Sequence, residues 1–366
     1  MNNYEAVLAA IAQADLKAAA SLIKQWESRS DPWFPLAVGR YFEAINSSEK
    51  ALKAYRQVLQ QGGQARLITQ ARQGIQRIQD ALARDREQSL TAAKAQPGGA
   101  AQALLVLEPV QGEARQLAIQ GLAEVMEMDV YTARMMIPGR HWRPYRVGQL
   151  GELEYFGQQL LERQTPVFWV SVDQIKALPV FQVQYVDQIQ NQVSVVCQNP
   201  AGQRGKITFD WSEVSQRVRG RLPIFESVVD LGPWGKLQRK QQTQDYAEVI
   251  DLHLYGRGSI LRFCDRTYQY RQGAPLAEGS QPDGSAPSIS HHTWNQLKQR
   301  LDQIIAPLHN DFTGYSDRAL EFLNLLPHLK PYLSLGRRSP SDWDSVFQLY
   351  SCLCYLRYQP KSPASG

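Results

Sequence analysis

A chain of 366 residues is long for a single core, because domains commonly span about 100 to 200 residues. Hydrophobic residues make up 43% of the sequence and charged residues 20%, which excludes a globally disordered chain. The net charge of +5 is too small to indicate nucleic-acid binding by itself, and the presence of only four cysteines excludes a disulfide framework. No window holds the run of about 18 apolar residues that a membrane span needs, and no basic leader opens the chain. We therefore expect a cytoplasmic protein without a transmembrane segment.

Residues 1–90 have the apolar spacing of three and four that is typical of helices. Their second predicted hairpin places Gly39 and Phe42 three apart on one helix, followed by a polar turn. Ala51 and Tyr55 lie four apart on the next helix. This order of glycine, aromatic, small residue and aromatic resembles the tetratricopeptide repeat, over roughly residues 31–65.

The resemblance implies helical hairpins in which small residues let two helices approach and aromatic rings fill the space beside them. Gly39, Phe42, Ala51 and Tyr55 are the positions that would carry this packing. It also implies binding of a partner protein, because stacked hairpins present an extended face. The match covers about one repeat well, and we expect one and a half to two and a half repeats.

Beyond the helices, changes of pattern divide the chain further. Residues 91–102 are small and polar with Pro and Gly, and they predict a linker. Alternating strand and helix patterns over residues 103–178 predict a small α/β unit of ferredoxin-like arrangement. Strand alternation dominates residues 179–272 and predicts a mostly antiparallel sheet or a partly closed barrel. The chain then has a predicted flexible loop (273–290), helices (291–358) and a fraying tail (359–366). The predicted fold class is therefore α+β, with several domains.

A first basic cluster stands out within residues 130–151, which contain no Asp or Glu. Its arginines are interleaved with Trp142 and Tyr145, and they are Arg134, Arg140, Arg143 and Arg146. Basic groups beside aromatic rings suit a phosphate backbone and stacked bases. The alternative is an exposed loop and strand edge whose arginines pair with carboxylates elsewhere in the fold.

A second basic set consists of Arg217, Arg219 and Arg221, which are two residues apart and would share one face of a strand. If both sets lay on one surface, an anionic partner such as nucleic acid would be favoured. The sequence leaves open whether they share a surface.

Asp251 and His253 are also two apart on a predicted strand, where they could hold a metal or act as acid and base. A solvated strand face is the commoner arrangement for such a pair, and we predict that arrangement. No phosphate-binding loop, zinc motif or serine-hydrolase motif is present, so we predict no catalytic residue, no metal site and no cofactor.

Together these patterns predict a non-catalytic scaffold or assembly factor that binds a partner protein through the helical hairpins and a central sheet surface. The alternative is a nucleic-acid-binding regulator that uses the two arginine sets. The sequence leaves the partner and the oligomeric state open.

Overall fold

The computed structural model of the chain describes residues 3–62, 64–189, 192–231, 237–274, 288–305 and 341–360, together with Phe312 and Leu335. The chain divides into two compact units, Met1–Ala92 and Ala93–Gly366. The division falls inside the predicted linker at 91–102. The finer division into segments that the sequence predicts stays a prediction. Most of the predicted loop at 273–290 and the middle of the predicted helical region at 291–358 lie outside the described residues.

The first unit consists of helices. They are α1 (Asn3–Ala12), α2 (Leu16–Lys24), α3 (Trp33–Ala44), α4 (Ser48–Gln61) and α5 (Ala65–Ala95), whose last residues belong to the second unit. Asp15 caps α2 by accepting a hydrogen bond from the Ala18 amide. Gly62 follows α4 with a positive φ of 68°, which glycine adopts without strain. Because alanine is the strongest helix former, the segment at 91–95 continues α5 instead of forming a flexible linker.

Contacts between neighbouring helices build the core of this unit. α1 packs on α2, α3 packs on α4, and α3 also contacts both helices of the first pair. Apolar residues spaced three and four apart face inward, as expected for amphipathic helices. These helices are compatible with the helical-hairpin arrangement predicted from the sequence.

The second unit begins with a small sheet and its helices. They are β1 (Gln102–Leu107), α6 (Ala114–Val125), α7 (Val130–Met136), β2 (Arg143–Gln149), α8 (Leu150–Glu162), β3 (Val167–Ser171) and α9 (Val172–Ala177). The strand order is β2-β1-β3, and β1 is antiparallel to both neighbours. A ferredoxin-like unit has four strands, so the predicted arrangement is corrected here. Helices occupy both connections between the three strands, which leaves no strand hairpin to supply the fourth.

A six-stranded sheet follows. Its strands are β4 (Val180–Ile189), β5 (Val193–Gln198), β6 (Arg204–Phe209), β7 (Gln216–Leu231), β8 (Leu237–Leu254) and β9 (Ser259–Cys264). The order is β6-β5-β4-β9-β8-β7, with β4 and β9 parallel and every other pair antiparallel. The mostly antiparallel sheet is as predicted, and β6 and β7 are its outer strands.

Two helices, α10 (Ser288–Ile304) and α11 (Asp342–Tyr358), lie against this sheet. Apolar residues of α10 pack on one set of sheet side chains, and α11 shares a second core with β7, β8, β9 and the three-stranded sheet. α11 is buried on all its faces from Val346 to Tyr355, which explains why its sequence is apolar all round. The predicted α+β class is confirmed. No described helix is long and apolar enough to cross a membrane.

Candidate functional site

The aromatic ring of Tyr55 fills the space between α3 and α5. A Cβ atom added at Gly39 would lie 2.5 Å from the Tyr55 Cε1 atom, and one added at Gly74 would lie 2.5 Å from Cε2. Real Cβ atoms do not approach carbon so closely, so only glycine leaves room for the ring on both sides. The structure thus brings the predicted residues Gly39 and Tyr55 together, and it adds Gly74 from α5.

The phenol of Tyr55 belongs to a polar group that joins the same helices. Its Oη atom donates a hydrogen bond to Glu43 Oε2 (2.5 Å), and Arg77 donates from Nε to Glu43 Oε1 (2.7 Å). Burial raises the pKa of the Glu43 carboxyl, but hydrogen bonds from Arg77 and Tyr55 outweigh it and hold that pKa below its usual range. Gly74 interrupts the helical pattern of α5, and a glycine at such a position indicates that another part of the chain approaches the helix closely.

The other two predicted hairpin positions have different surroundings. Ala51 is fully buried in the core of the first unit. Phe42 is half-buried, with its ring 5.5 Å from the ring of Tyr41 and 5.5 Å from the Lys50 ammonium. All four residues of the predicted pattern therefore contribute to the packing of the helical unit.

The first arginine cluster is largely used within the fold. Arg143 donates from Nη1 to the Met135 carbonyl at the end of α7 (2.7 Å). Arg146 donates to Glu152 (2.5 Å), so the predicted pairing with a carboxylate elsewhere occurs at this residue. Trp142 is buried and its ring stacks on that of Tyr358, so it offers no face to a nucleic-acid base.

Two members of that cluster remain on the surface. Arg134, in the last turn of α7, and Arg140, in the following loop, are both exposed, and neither forms an ion pair with any residue that the structure describes. β2, which carries Arg143 and Arg146, belongs to the three-stranded sheet, whereas the second arginine set lies on the six-stranded sheet.

The second arginine set lies on the outer strand β7, at alternating positions that face α10. Arg217 and Arg219 both donate from Nη2 to the same oxygen, Asp302 Oδ1, and the first of these bonds is 2.5 Å long. Arg221 lies with its guanidinium 4.7 Å from the centre of the Tyr246 ring. The shared strand face is therefore as predicted. No local sequence pattern indicated that Asp302, 83 positions from Arg219, would pair with it.

Asp251 and His253 lie fully buried, which corrects the prediction of a solvated strand face. Arg262, on the neighbouring strand β9, donates to both carboxylate oxygens of Asp251 at 2.8 and 2.7 Å. Ser351 of α11 donates to Asp251 Oδ2 (2.5 Å) and lies 3.1 Å from His253 Nε2. This buried group joins β8, β9 and α11. Arg262 lies 11 residues from Asp251 and Ser351 lies 100 residues from it, and neither was anticipated from the sequence.

The hydrogen bonds of this buried group determine which atoms donate and which accept. The single hydroxyl proton of Ser351 goes to Asp251, so His253 Nε2 must carry the proton of its own bond to that hydroxyl. His253 Nδ1 is then an acceptor, and no described residue donates a hydrogen bond to it. A nucleophilic serine needs the opposite polarity, with histidine accepting the serine proton, and it needs access to substrate. The group is arranged to tie α11 to the sheet.

The four cysteines are buried in the second unit, and burial raises the pKa of the Cys197 thiol to about 11 and those of Cys264 and Cys352 to about 12. Neutral, enclosed thiols are poor nucleophiles and poor metal ligands. Among the described residues, no group of three or more His, Cys, Asp or Glu side chains could hold a metal ion.

Comparison with known proteins gives no match to a family model, a curated protein or a solved structure.

Proposed function

We propose that the chain is a non-catalytic cytoplasmic scaffold or assembly factor that binds a partner protein through its N-terminal helical hairpins. The observation that carries this proposal is the Tyr55 ring enclosed by Gly39 and Gly74. Small residues that admit an aromatic ring between helices are the packing device of the tetratricopeptide repeat. The central sheets of the second unit would supply a further contact surface.

The arrangement of helices supports this proposal. Two contacting pairs, α1 with α2 and α3 with α4, are followed by α5, and this order is compatible with up to two and a half repeats. Stacked hairpins of this kind leave helix faces available to a partner, because each hairpin uses one side for packing on its neighbours.

Affinity capture with crosslinking from native cells tests the proposal. Intact chain is compared with a Tyr55→Ala variant, which empties the space between Gly39 and Gly74. We expect recovery of the partner to fall by about tenfold or more, equivalent to at least about 1.4 kcal/mol of binding. The matched control is Tyr131→Ala, whose side chain lies on α7 of the second unit and is 73% exposed. Full recovery with Tyr55→Ala, at equal protein level, would contradict the proposal.

The alternative proposal, a nucleic-acid-binding regulator, is supported by the exposed and unpaired guanidiniums of Arg134 and Arg140. Binding through phosphate contacts weakens steeply as salt rises, because counterions are released on association. A double Arg134→Gln, Arg140→Gln variant would lose the binding of a single-stranded oligonucleotide, measured by fluorescence anisotropy at low salt. The absence of binding by the unaltered chain at low salt would end this alternative.

A further inference from the structure

A cavity of about 290 Å³ lies beside the outer strand β7. Its lining includes the charged side chains of Arg219, Arg221, Lys298 and Glu248, and Phe312 supplies an aromatic part. Strand β7 and helix α10 position these cations, because alternate residues of the strand face the helix and Lys298 lies one turn before Asp302.

The charges of the cavity and of the side chains paired with it do not balance. They comprise four cations, Arg217, Arg219, Arg221 and Lys298, against two carboxylates, Glu248 and Asp302. Glu248 is already engaged, since it accepts hydrogen bonds from Lys298 Nζ (2.6 Å) and from Trp294 Nε1 (2.7 Å). Among the residues that the structure describes, two positive charges therefore remain in excess next to a concave surface.

Hydrogen bonding at this site is also incomplete. One oxygen of Asp302 serves both Arg217 and Arg219, so a single carboxylate is divided between two guanidiniums. Arg217 is only 1% exposed, and its Nε and Nη1 groups have no acceptor in the described part of the chain. Burying a cation with unsatisfied donors is costly, and a second anion would relieve that cost.

We propose that this cavity binds the phosphate group of a small phosphorylated molecule. A phosphate bound by Arg219 and Arg221 leaves the Asp302 carboxylate to Arg217 alone. Guanidiniums suit phosphate because their fixed fork of donors matches its oxygens. Phe312 is 3% exposed and packs on Phe347 and Tyr350, so it forms an apolar part of the cavity wall. The volume of the cavity is close to the lower limit for small-molecule sites, and that limit is about 300 Å³.

This inference is independent of the proposed scaffold role, because all the residues involved belong to the second unit. It also differs from the nucleic-acid alternative, which rests on Arg134 and Arg140. Either can fail without the other.

Calorimetric titration of the intact chain with inorganic phosphate and with phenyl phosphate, at low salt, tests the proposal. We expect both to bind, and phenyl phosphate to bind more tightly because of Phe312.

Arg219→Gln and Arg221→Gln should each weaken binding by about tenfold or more, as expected for loss of a charge-assisted hydrogen bond. Both side chains are exposed, so both variants should fold. The matched control is Arg204→Gln, an exposed arginine on the opposite outer strand β6, which should bind like the unaltered chain.

A further variant separates ligand binding from a structural role. Asp302→Asn removes the carboxylate that competes for Arg219, so it should tighten phosphate binding. A residue that only maintained the fold would weaken binding or leave it unchanged.

Three results would overturn the proposal. The first is no heat and no thermal stabilisation at up to about 10 mM of either probe, a concentration that would reveal even millimolar affinity. The second is an equal loss of affinity in Arg204→Gln, which would indicate general charge attraction. The third is tighter binding of inorganic phosphate than of phenyl phosphate, which would assign the cavity to the free ion.

Discussion

The imidazole of His253 lies wholly inside the second unit, and burial lowers its pKa from 6.5 to about 4. Asp251 opposes this shift and Arg262 adds to it. The ring is therefore neutral in the folded chain at pH 7. Its neighbours are the Asp251 and Arg262 pair, the Ser351 hydroxyl and the rings of Tyr255 and Tyr355.

This burial predicts acid sensitivity of the second unit. Below pH 6.5 His253 is protonated in the unfolded chain but stays neutral in the folded chain. Its contribution to the free energy of unfolding is therefore fully present above pH 6.5 and is lost as the pH falls towards 4. The difference between 6.5 and about 4 corresponds to about 3 kcal/mol. Hydrogen exchange of the β8 and α11 amides, followed across this pH range, measures the effect.

A neutral replacement provides the check on that prediction. His253→Gln should remove this part of the acid dependence, whereas His292→Gln, at an exposed position on α10, should leave it in place. An unchanged pH profile in His253→Gln would show that another group titrates.

The ion pair of Arg262 with Asp251 makes a second prediction at the scale of single residues. Arg262→Leu leaves a buried carboxylate without its cation and should cost about 3–5 kcal/mol of unfolding free energy. The double variant, with Asp251→Leu added, should be less destabilised than Arg262→Leu alone, because no uncompensated charge remains. Denaturant unfolding of the two variants measures this, and additive losses would contradict it.

At the scale of elements, the glycines beside Tyr55 set how closely α3 and α5 can pack. Gly39→Ala places a methyl group 2.5 Å from the ring, and relief of that overlap should destabilise the first unit by about 1–3 kcal/mol. Gln73→Ala, at an exposed position adjacent to Gly74 on α5, is the control and should be nearly neutral or slightly stabilising. Hydrogen exchange of α3 and α4 amides distinguishes the two, and equal protection in both variants would contradict the packing argument.

Local pattern predicted most elements because periodicity is a short-range signal. Strand alternation predicted β4, β5 and β6, and helical spacing predicted α8 and α11. The contact of Gly39 with Tyr55 was also predictable, since both lie in one hairpin. The contact of Gly74 was not predicted, because α5 lies outside that hairpin. The Arg262 pairing was not predicted either, because it depends on the register of β8 with β9, which sets Arg262 opposite Asp251. The environment of Asp251 was wrongly predicted because burial on a strand face depends on α11, about a hundred residues away.

At the scale of the whole molecule, each unit has its own apolar core. Residues of the first unit form one cluster, from Tyr4 to Ile78, and two further clusters lie in the second unit. One of those two clusters combines residues of the predicted α/β unit, of the sheet and of α11. Shifts in composition along the chain could not predict this shared core. They show where the residue pattern changes, but not which segments pack together.

Site-specific photo-crosslinking in native extracts tests the central proposal most directly. A photoreactive amino acid is placed at Lys53 on α4 or Arg72 on α5, both exposed in the first unit, and at the exposed Arg204 of the second unit for comparison. Partner binding through the helical hairpins predicts a crosslinked product with another protein from at least one probe of the first unit, and its loss in Tyr55→Ala. Crosslinks to a partner from position 204 alone, with none from positions 53 and 72, would contradict it.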